Sequence, residues 1–127
     1  MRFMLMRKAD AETEAGLLPS AELLAAMQRY NEELAEAGVL LQGEGLQASA
    51  NGARVIFTDG TPTVTDGPFA ETKELIAGFT MIEVASKDEA VEWVKRWPRI
   101  DGHGNVKIEI RPLYEPEDFS PGAAESP

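Results

Sequence analysis

Near its end the chain reads Val106-Lys107-Ile108-Glu109-Ile110-Arg111. Apolar and charged side chains alternate at the period of a β-strand, so one face of this strand is apolar and the other is charged. The apolar face should meet helices, and the charged face should lie in water or line a cavity against a second subunit. The alternation therefore predicts a sheet that carries its helices on one face only.

The residues before this strand predict the other strands of the sheet and two helices. Strands are expected over residues 2–8, 39–46 and 78–84, with loops over 9–19 and 47–53. A first helix should begin after Ser20, a good N-cap residue, and end at Gly38. A second should begin at the capping box formed by Ser86 and Glu89, and Pro98 should end it.

A hairpin separates the two halves of the chain. The dipeptide Asp59-Gly60 lies between the strand-like runs Arg54–Thr58 and Thr61–Thr65, which is a typical hairpin pattern. The element order is then βαβ, hairpin, βαβ. Two such halves most economically form an α+β, ferredoxin-like βαββαβ sheet with an inserted hairpin. Either Phe79 and Met81 or Ile82 and Val84 must lie on its open face. Since an exposed apolar sheet face marks an interface, we expect a homodimer packed sheet to sheet.

The composition limits the classes of function. A chain of 127 residues most plausibly forms one domain, and its net charge of −10 argues against partners such as nucleic acids and anionic membranes. The absence of cysteine excludes disulfides, thiol nucleophiles and cysteine-based metal sites. No apolar stretch reaches the length of a membrane span, and the basic start is too short for a signal peptide. A cytoplasmic protein is the expectation.

The central loop reads Asp66-Gly67-Pro68-Phe69-Ala70-Glu71-Thr72-Lys73-Glu74. Asp66 can accept hydrogen bonds from the backbone that follows, and Gly67 tolerates dihedral angles closed to other residues. Pro68 fixes its own backbone, so Phe69 is delivered to a defined place. Such a loop forms either a rigid structural corner or a binding site, and the residues alone favour the corner.

The chain resembles the DGPF-domain branch of the YCII-related family. The resemblance covers residues 2–119 and is carried by Asp66–Glu74, Gly78-Phe79, Gly38-Val39-Leu40, Gly43–Leu46, Glu109–Pro112 and Glu115–Phe119. It implies one domain over residues 2–114 that forms a dimeric α/β-barrel, followed by an acidic tail over 115–127 that we expect to be partly disordered. Some relatives accompany alternative sigma factors, which implies a regulatory role and a sigma-factor-related protein partner.

One feature of the wider family is missing from this chain. That family carries a histidine near the start of the first helix, paired with an acidic residue. The corresponding stretch here, Pro19-Ser20-Ala21-Glu22, has none, and His103 is the one histidine of the chain. A histidine–aspartate acid–base mechanism therefore cannot be carried over. His103 itself lies in a glycine-rich loop, where a histidine is usually a solvated bystander rather than a metal ligand or a proton shuttle.

The candidate site residues each have a structural and a functional interpretation. Asp66 and Glu44 are the best candidates for an acid–base group, although Asp66 more plausibly caps a turn or helix. A small anionic ligand would be bound by residues of the central loop and the last strand: Asp66, Gly67, Pro68, Phe69, Lys73, Glu74 and Arg111. Phe69 is more plausibly a core plug, and Lys107, Glu109 and Arg111 an ion ladder. No metal and no cofactor are predicted.

Two functions of different classes follow from these residues and from the resemblance. The first is a regulatory module that binds a small molecule or a protein, associated with an alternative sigma factor. The second is a cofactor-independent enzyme of isomerase, lyase or hydrolase type, with Asp66 or Glu44 as acid–base and Lys73 or Arg111 holding an anionic substrate. A dimerisation module without a ligand is a third alternative.

Overall fold

A computed structural model describes residues 1–120 of the chain. Its helices and strands are β1 (Arg2–Lys8), α1 (Ala11–Glu14), α2 (Ala21–Glu36), β2 (Leu40–Gly45), β3 (Ala53–Thr58), β4 (Thr61–Asp66), β5 (Ile76–Glu83), α3 (Lys87–Val94) and β6 (Ile108–Pro112). Short 3-10 turns occupy residues 49–51, 72–74, 101–104 and 116–119.

The main sheet has four antiparallel strands in the order β2-β5-β1-β6. Strands β3 and β4 pair separately as the predicted hairpin, in which Val55 lies opposite Val64. The mixed α/β character and the antiparallel pairing are as predicted, and the strand order is that of a βαββαβ unit with an inserted hairpin.

The helix ends follow the capping residues. Ser20 and Ser86 each accept a hydrogen bond from the third residue of their helix, as the sequence predicts. The loop expected over 9–19 contains a short helix, α1, because Asp10 and Thr13 form a reciprocal capping box. A capping-box pattern expects Glu or Gln at the third helical position, where this chain has Thr13, so the pattern does not predict the start of α1.

The hydrophobic core lies between one face of the sheet and the helices α2 and α3. It consists of Phe3, Leu5, Tyr30, Leu34, Ile82, Val84, Ala90 and Trp97. Ile108 and Ile110 pack against it from β6, so the apolar side of the last strand does meet the helices. Residue pairs in neighbouring strands share a face, which places Arg7 on this same inner face beside Ile108.

The opposite face of the sheet carries no helix in the described part of the chain. Met4 pairs with Met81 and Met6 with Phe79, and all four side chains are half-buried. Of the two alternatives stated above, Phe79 and Met81 are therefore the pair on the open face. Exposed Glu109 and Arg111 extend the same rows on β6.

The first residue of the acidic tail, Glu115, is attached to strand β1. The Glu115 carboxylate accepts a hydrogen bond from Arg2 Nε at 3.0 Å, and the charge and hydrogen bonding of Arg2 lower the pKa of Glu115. The partial disorder expected for the 115–127 tail stays a prediction, since residues 121–127 lie outside the described residues. Within residues 1–120, no helix is long and apolar enough to cross a bilayer.

The buried Tyr30 gives a testable prediction on alkaline stability. Its hydroxyl donates to the Trp93 carbonyl oxygen at 2.6 Å, and burial raises its pKa to about 12. Since the folded protein holds this proton more tightly than the unfolded chain, the contribution is complete below about pH 10 and is lost as the pH rises towards 12. Tyr30→Phe should lower the free energy of unfolding by about 1 kcal/mol at pH ~8. It should also make the decline of this free energy above pH ~10 less steep.

Urea unfolding of wild type and Tyr30→Phe, at pH ~8 and above pH ~10, measures this change in the free energy of unfolding. Tyr114→Phe is the matched control, because Tyr114 is 75% exposed. Identical slopes of stability against pH for wild type and Tyr30→Phe would contradict the assignment.

Candidate functional site

A large cleft opens on the helix side of the sheet, at the end where β1 and β2 finish and β5 begins. Its volume is about 1320 Å³, and it is bounded by the N-terminal half of α2, by the ends of these strands, and by segments 10–19 and 99–104. We call it the α2 cleft. Its size is ample for a small organic molecule.

The floor of the α2 cleft is made of residues with small side chains. Gly43 pairs with Thr80 and Gly45 with Gly78, so all four lie on the inner face of β2 and β5. One row further along, the same face carries Ile82 and Leu40, which fill the core. The cleft therefore exists because the inner face changes from large aliphatic residues to glycine while α2 continues above it.

The wall and rim of the cleft are apolar. Leu23 and Met27 of α2 form the wall and are half-buried. The rim carries exposed large side chains that also border the cleft: Leu17, Leu18, Leu24, Leu46 and Ile100. Leu18 is 90% exposed. Apolar residues concentrated around a concave site are typical of a ligand cleft.

A buried ion network lies at one end of the cleft. Arg7 donates to both carboxylate oxygens of Asp101, from Nη2 at 2.7 Å and from Nε at 3.2 Å. Trp97 Nε1 donates to the same carboxylate at 2.9 Å. Arg7 Nη1 donates to Asp10 at 3.1 Å and to the backbone oxygen of Lys8 at 2.9 Å. This single guanidinium therefore connects β1 to two segments that border the cleft, residues 10–19 and 99–104.

The network favours the charged forms of Arg7 and Asp10. Burial opposes the charge of Arg7, but the hydrogen bonds and charge of Asp101 outweigh it, so the pKa of Arg7 is raised. Partial burial likewise opposes ionisation of Asp10. The amide of Thr13 and the charge of Arg7 outweigh that effect and lower the pKa of Asp10. Arg7 and Asp10 therefore act as fixed structural charges rather than as groups that exchange protons.

A histidine–carboxylate pair stands at the mouth of the cleft. His103 Nε2 lies 3.0 Å and 3.1 Å from the two carboxylate oxygens of Glu12. Both residues border the cleft, and both are exposed. His103 is solvated, as the sequence favours, with its side chain 78% exposed, and the structure adds an acidic partner from α1.

One polar atom of the cleft is unpaired. The side-chain oxygen of Asn31, which borders the cleft from α2, is buried and has no hydrogen-bond partner within residues 1–120. An unpaired buried polar group costs roughly 1–3 kcal/mol. A bound molecule that hydrogen-bonds this amide would recover that free energy.

The central loop forms a structural corner. Gly67 packs so closely on the Ser49 carbonyl that an added Cβ would overlap it, and the Phe69 amide donates to Ser49 Oγ at 3.0 Å. The Gly67-Pro68 peptide bond is cis. Ser49 in turn donates from its amide and its hydroxyl to Glu14 of α1. The loop therefore supports α1, the helix that carries Glu12.

Two arginine contacts complete this corner. The Arg54 guanidinium lies 3.9 Å from the centre of the Phe69 ring and 3.4 Å from the Glu71 carboxylate. Phe69 thus acts as a packing residue, half-buried under Arg54. Asp66 is the last, exposed residue of β4, and the next helical turn begins only at Thr72 after Glu71. The capping role favoured for Asp66 is therefore wrong.

The other predicted site residues lie apart from one another. Lys73 and Glu74 are exposed on the turn that precedes β5. Arg111 lies opposite Met4, whereas the turn joins the sheet at Ile76 opposite Lys8, about 13 Å along β1. Glu44 is exposed at the edge of the α2 cleft. The structure places only Glu44 of the predicted set beside the cleft, and a ligand-binding role for the others stays a prediction.

Residues 1–120 contain no group of three or more histidine, aspartate or glutamate side chains arranged to hold a metal ion. Among the polar groups that the cleft presents are a histidine–glutamate pair, an asparagine amide and the Thr80 hydroxyl.

Sequence reasoning missed Arg7, Asp101 and the cleft. One signal was present: Phe3, Leu5 and Arg7 alternate on β1, so a charged residue occupies an inward position. A second signal was the glycine repeat in β2. The position of Asp101 beside Arg7, 94 residues apart in the chain, had no local signature.

Comparisons with known proteins agree on the family and the fold. The family model described as the YCII-related domain matches residues 1–113. An uncharacterized protein of Rhizobium meliloti (strain 1021) is 35% identical over 97 residues, which cover 76% of each chain. In the same fold, 5-chloro-2-hydroxyhydroquinone dehydrochlorinase (TftG) of Burkholderia phenoliruptrix AC1100, solved with 2,5-dihydroxybenzoquinone, is similar with a TM-score of 0.51. Its sequence identity is 18%, over 92% of this chain and 97% of that one.

The corner predicts a large cost for a side chain at Gly67. Gly67→Ala should lower the free energy of unfolding by about 2 kcal/mol or more, because the Ser49 backbone must move. Gly52→Ala is the matched control, since its Cβ would lie 3.6 Å from the same carbonyl oxygen, an ordinary contact. Urea unfolding of both variants measures the difference, and equal stabilities would contradict a structural role for the loop.

Proposed function

The chain belongs to the YCII-related family, and from that premise we propose that it binds a small, predominantly apolar organic molecule in the α2 cleft. The observation that carries this proposal is the floor of Gly43, Gly45, Gly78 and Thr80 beneath α2. Gly78 is needed for sheet packing, since an added Cβ would lie 2.9 Å from the Glu44 carbonyl oxygen. Gly43 and Gly45 have no such constraint, because a Cβ at Gly45 would meet nothing within 4 Å and one at Gly43 would make only ordinary contacts. Glycine at these two inner positions leaves space above the sheet and weakens the strand, which is unfavourable unless the space is used.

The charges of the cleft favour an uncharged ligand. Five carboxylates border it, those of Asp10, Glu12, Glu22, Glu44 and Asp101, against the guanidiniums of Arg7 and Arg99. Arg7 is already paired with two of these carboxylates. A multiply charged anion would meet repulsion here, so the anionic ligand expected from the sequence is the less favoured class. An apolar ring with a polar group that reaches Asn31 fits the lining better.

A homodimer forms the second part of the proposal. The open face of the sheet presents Met4, Met6, Phe79 and Met81 as one apolar patch on the two central strands. A second copy of the chain, packed sheet to sheet, would cover it and produce the barrel that the family resemblance implies. Sedimentation of the purified protein at twice the chain mass is the expected result, and a monomer would contradict this part.

Binding without chemistry and catalysis both remain compatible with such a site. The observation that favours an enzyme is that the fold neighbour is a dehydrochlorinase. A role beside an alternative sigma factor stays a prediction from the family resemblance.

Ligand binding is tested by NMR with hydroquinone, an uncharged ring with two hydroxyl groups. Hydroquinone should shift the Trp97 indole signal and the amide signals of Gly43 and Gly45, with a dissociation constant of about 1 mM or lower. Shifts confined to residues outside the cleft would contradict the proposal.

A cavity-filling substitution tests the position of the site. A Cβ at Gly45 would meet no heavy atom of residues 1–120 within 4 Å. Gly45→Val should therefore fold normally while reducing hydroquinone binding by about tenfold or more, because its methyl groups occupy the floor. Thr63→Val, on the exposed hairpin, is the control and should bind like wild type. Unchanged binding by Gly45→Val would place the ligand elsewhere.

A further inference from the structure

The hairpin formed by β3 and β4 is exposed on both of its faces. Every residue from Val55 to Asp66 is exposed, and four large apolar side chains of the two strands are between 51% and 68% exposed: Val55, Ile56, Phe57 and Val64. We propose that this hairpin is a dimerisation arm, whose apolar face packs against a second copy of the chain. The inference rests on the homodimer of the proposed function, and it gives that dimer a second contact, separate from the open face of the sheet.

The strand register sorts most of these apolar side chains onto one face. Val55 lies opposite Val64, and Phe57 lies opposite Pro62. Directly opposite residues of antiparallel strands project from the same face, and so do residues two positions apart along one strand. We call the face that carries these four side chains the arm face. The other face carries Ile56 among polar residues: Arg54, Thr58, Thr61, Thr63 and Thr65. One apolar and one mainly polar face are typical of strands that pack against another surface on one side.

The hairpin lacks the packing that a pair of strands needs. A two-stranded hairpin is only marginally stable in water unless a further strand or a helix packs on it. Contacts hold this hairpin at its base, where the Gly67 amide donates to the Gly52 carbonyl oxygen at 3.0 Å and Arg54 lies against the Phe69 ring. Strands of six residues are about 20 Å long, so most of the arm face lies beyond this base. The arm face therefore needs a cover.

The charge of the chain favours a second copy as that cover. The net charge is −10, yet residues 55–65 contain a single charged residue, Asp59 in the turn. Two copies repel one another across acidic surface, so close contact between them is favourable only where both surfaces are uncharged. A basic protein would be attracted to carboxylates, which the arm face lacks. Residues 121–127 contain no large apolar side chain and match the arm face poorly.

The hairpin also starts close to the apolar patch on the open face of the sheet. Strand β2 leads into the hairpin and the hairpin leads into β5, so it leaves the sheet at the end where β5 begins with Ile76. Phe79 of the patch is the fourth residue of β5, about 10 Å along the strand. A second copy seated on the patch is thus within reach of an arm of about 20 Å. In a two-fold dimer both arms make the same contact.

Substitutions on the two faces of β3 test the arm. Phe57→Thr removes a large apolar side chain from the arm face, and threonine keeps the strand propensity. It should raise the dimer dissociation constant by about 100-fold or more, because the side chain is lost from both copies. Ile56→Thr is the matched control: its side chain is also exposed but lies on the other face, so its dissociation constant should stay close to that of wild type. Sedimentation over a range of protein concentrations measures these constants.

A measurement on the wild-type protein depends on no variant. In the dimer, a soluble gadolinium chelate should broaden the methyl NMR signals of Ile56 more than those of Val55 and Val64, because the partner copy shields the arm face. After dilution to the monomer, all three residues should broaden alike.

The outcomes separate the arm from the dimer itself. A wild-type dimer in which Phe57→Thr and Ile56→Thr have equal dissociation constants, or in which the arm-face methyl groups stay accessible, overturns the arm and leaves the sheet-to-sheet dimer intact. The arm face would then be free for a different protein. A wild-type monomer at every concentration overturns the dimer of the proposed function, and the arm with it.

Discussion

The buried guanidinium of Arg7 is the interaction on which the site depends. It lies on the inner face of a central strand, where the row of the sheet beside it offers only glycine from β5 and β2. A charge in that position must be paired, since breaking such a pair leaves an uncompensated ion and costs about 3–5 kcal/mol. Asp101 and Asp10 provide the pairing, and each fixes a segment that borders the α2 cleft.

Helix α1, which follows Asp10, is also held by hydrogen bonds from Ser49. Glu14 of α1 receives two hydrogen bonds from Ser49, on which the central Asp66–Glu74 loop is packed. The Asp66–Glu74 loop packs on Ser49, and Ser49 donates hydrogen bonds to Glu14 of α1. The loop therefore acts on α1 through Ser49.

The fold was largely predictable because its signals are local. Alternation in β6, the cap residues Ser20 and Ser86 and the Asp59-Gly60 turn each act within a few residues, and each predicted its element. The site was less predictable, since it depends on contacts between distant segments. Glu12 and His103 are 91 residues apart, and no local sequence pattern around either residue predicts that they are in contact. The glycines at positions 43, 45 and 78 acquire their meaning only once the register of β2 against β5 is known.

The most direct test of this account is hydrogen exchange in Arg7→Lys, with Arg96→Lys, an exposed partner of Glu33, as the control. Lysine keeps the charge but cannot bridge two carboxylates with a planar fork. Residues 10–16 and 99–104 should both exchange faster, while the core strands keep their protection and the control shows neither change. Faster exchange in one segment alone, or in neither, would show that Arg7 does not hold both of these cleft-bordering segments in place.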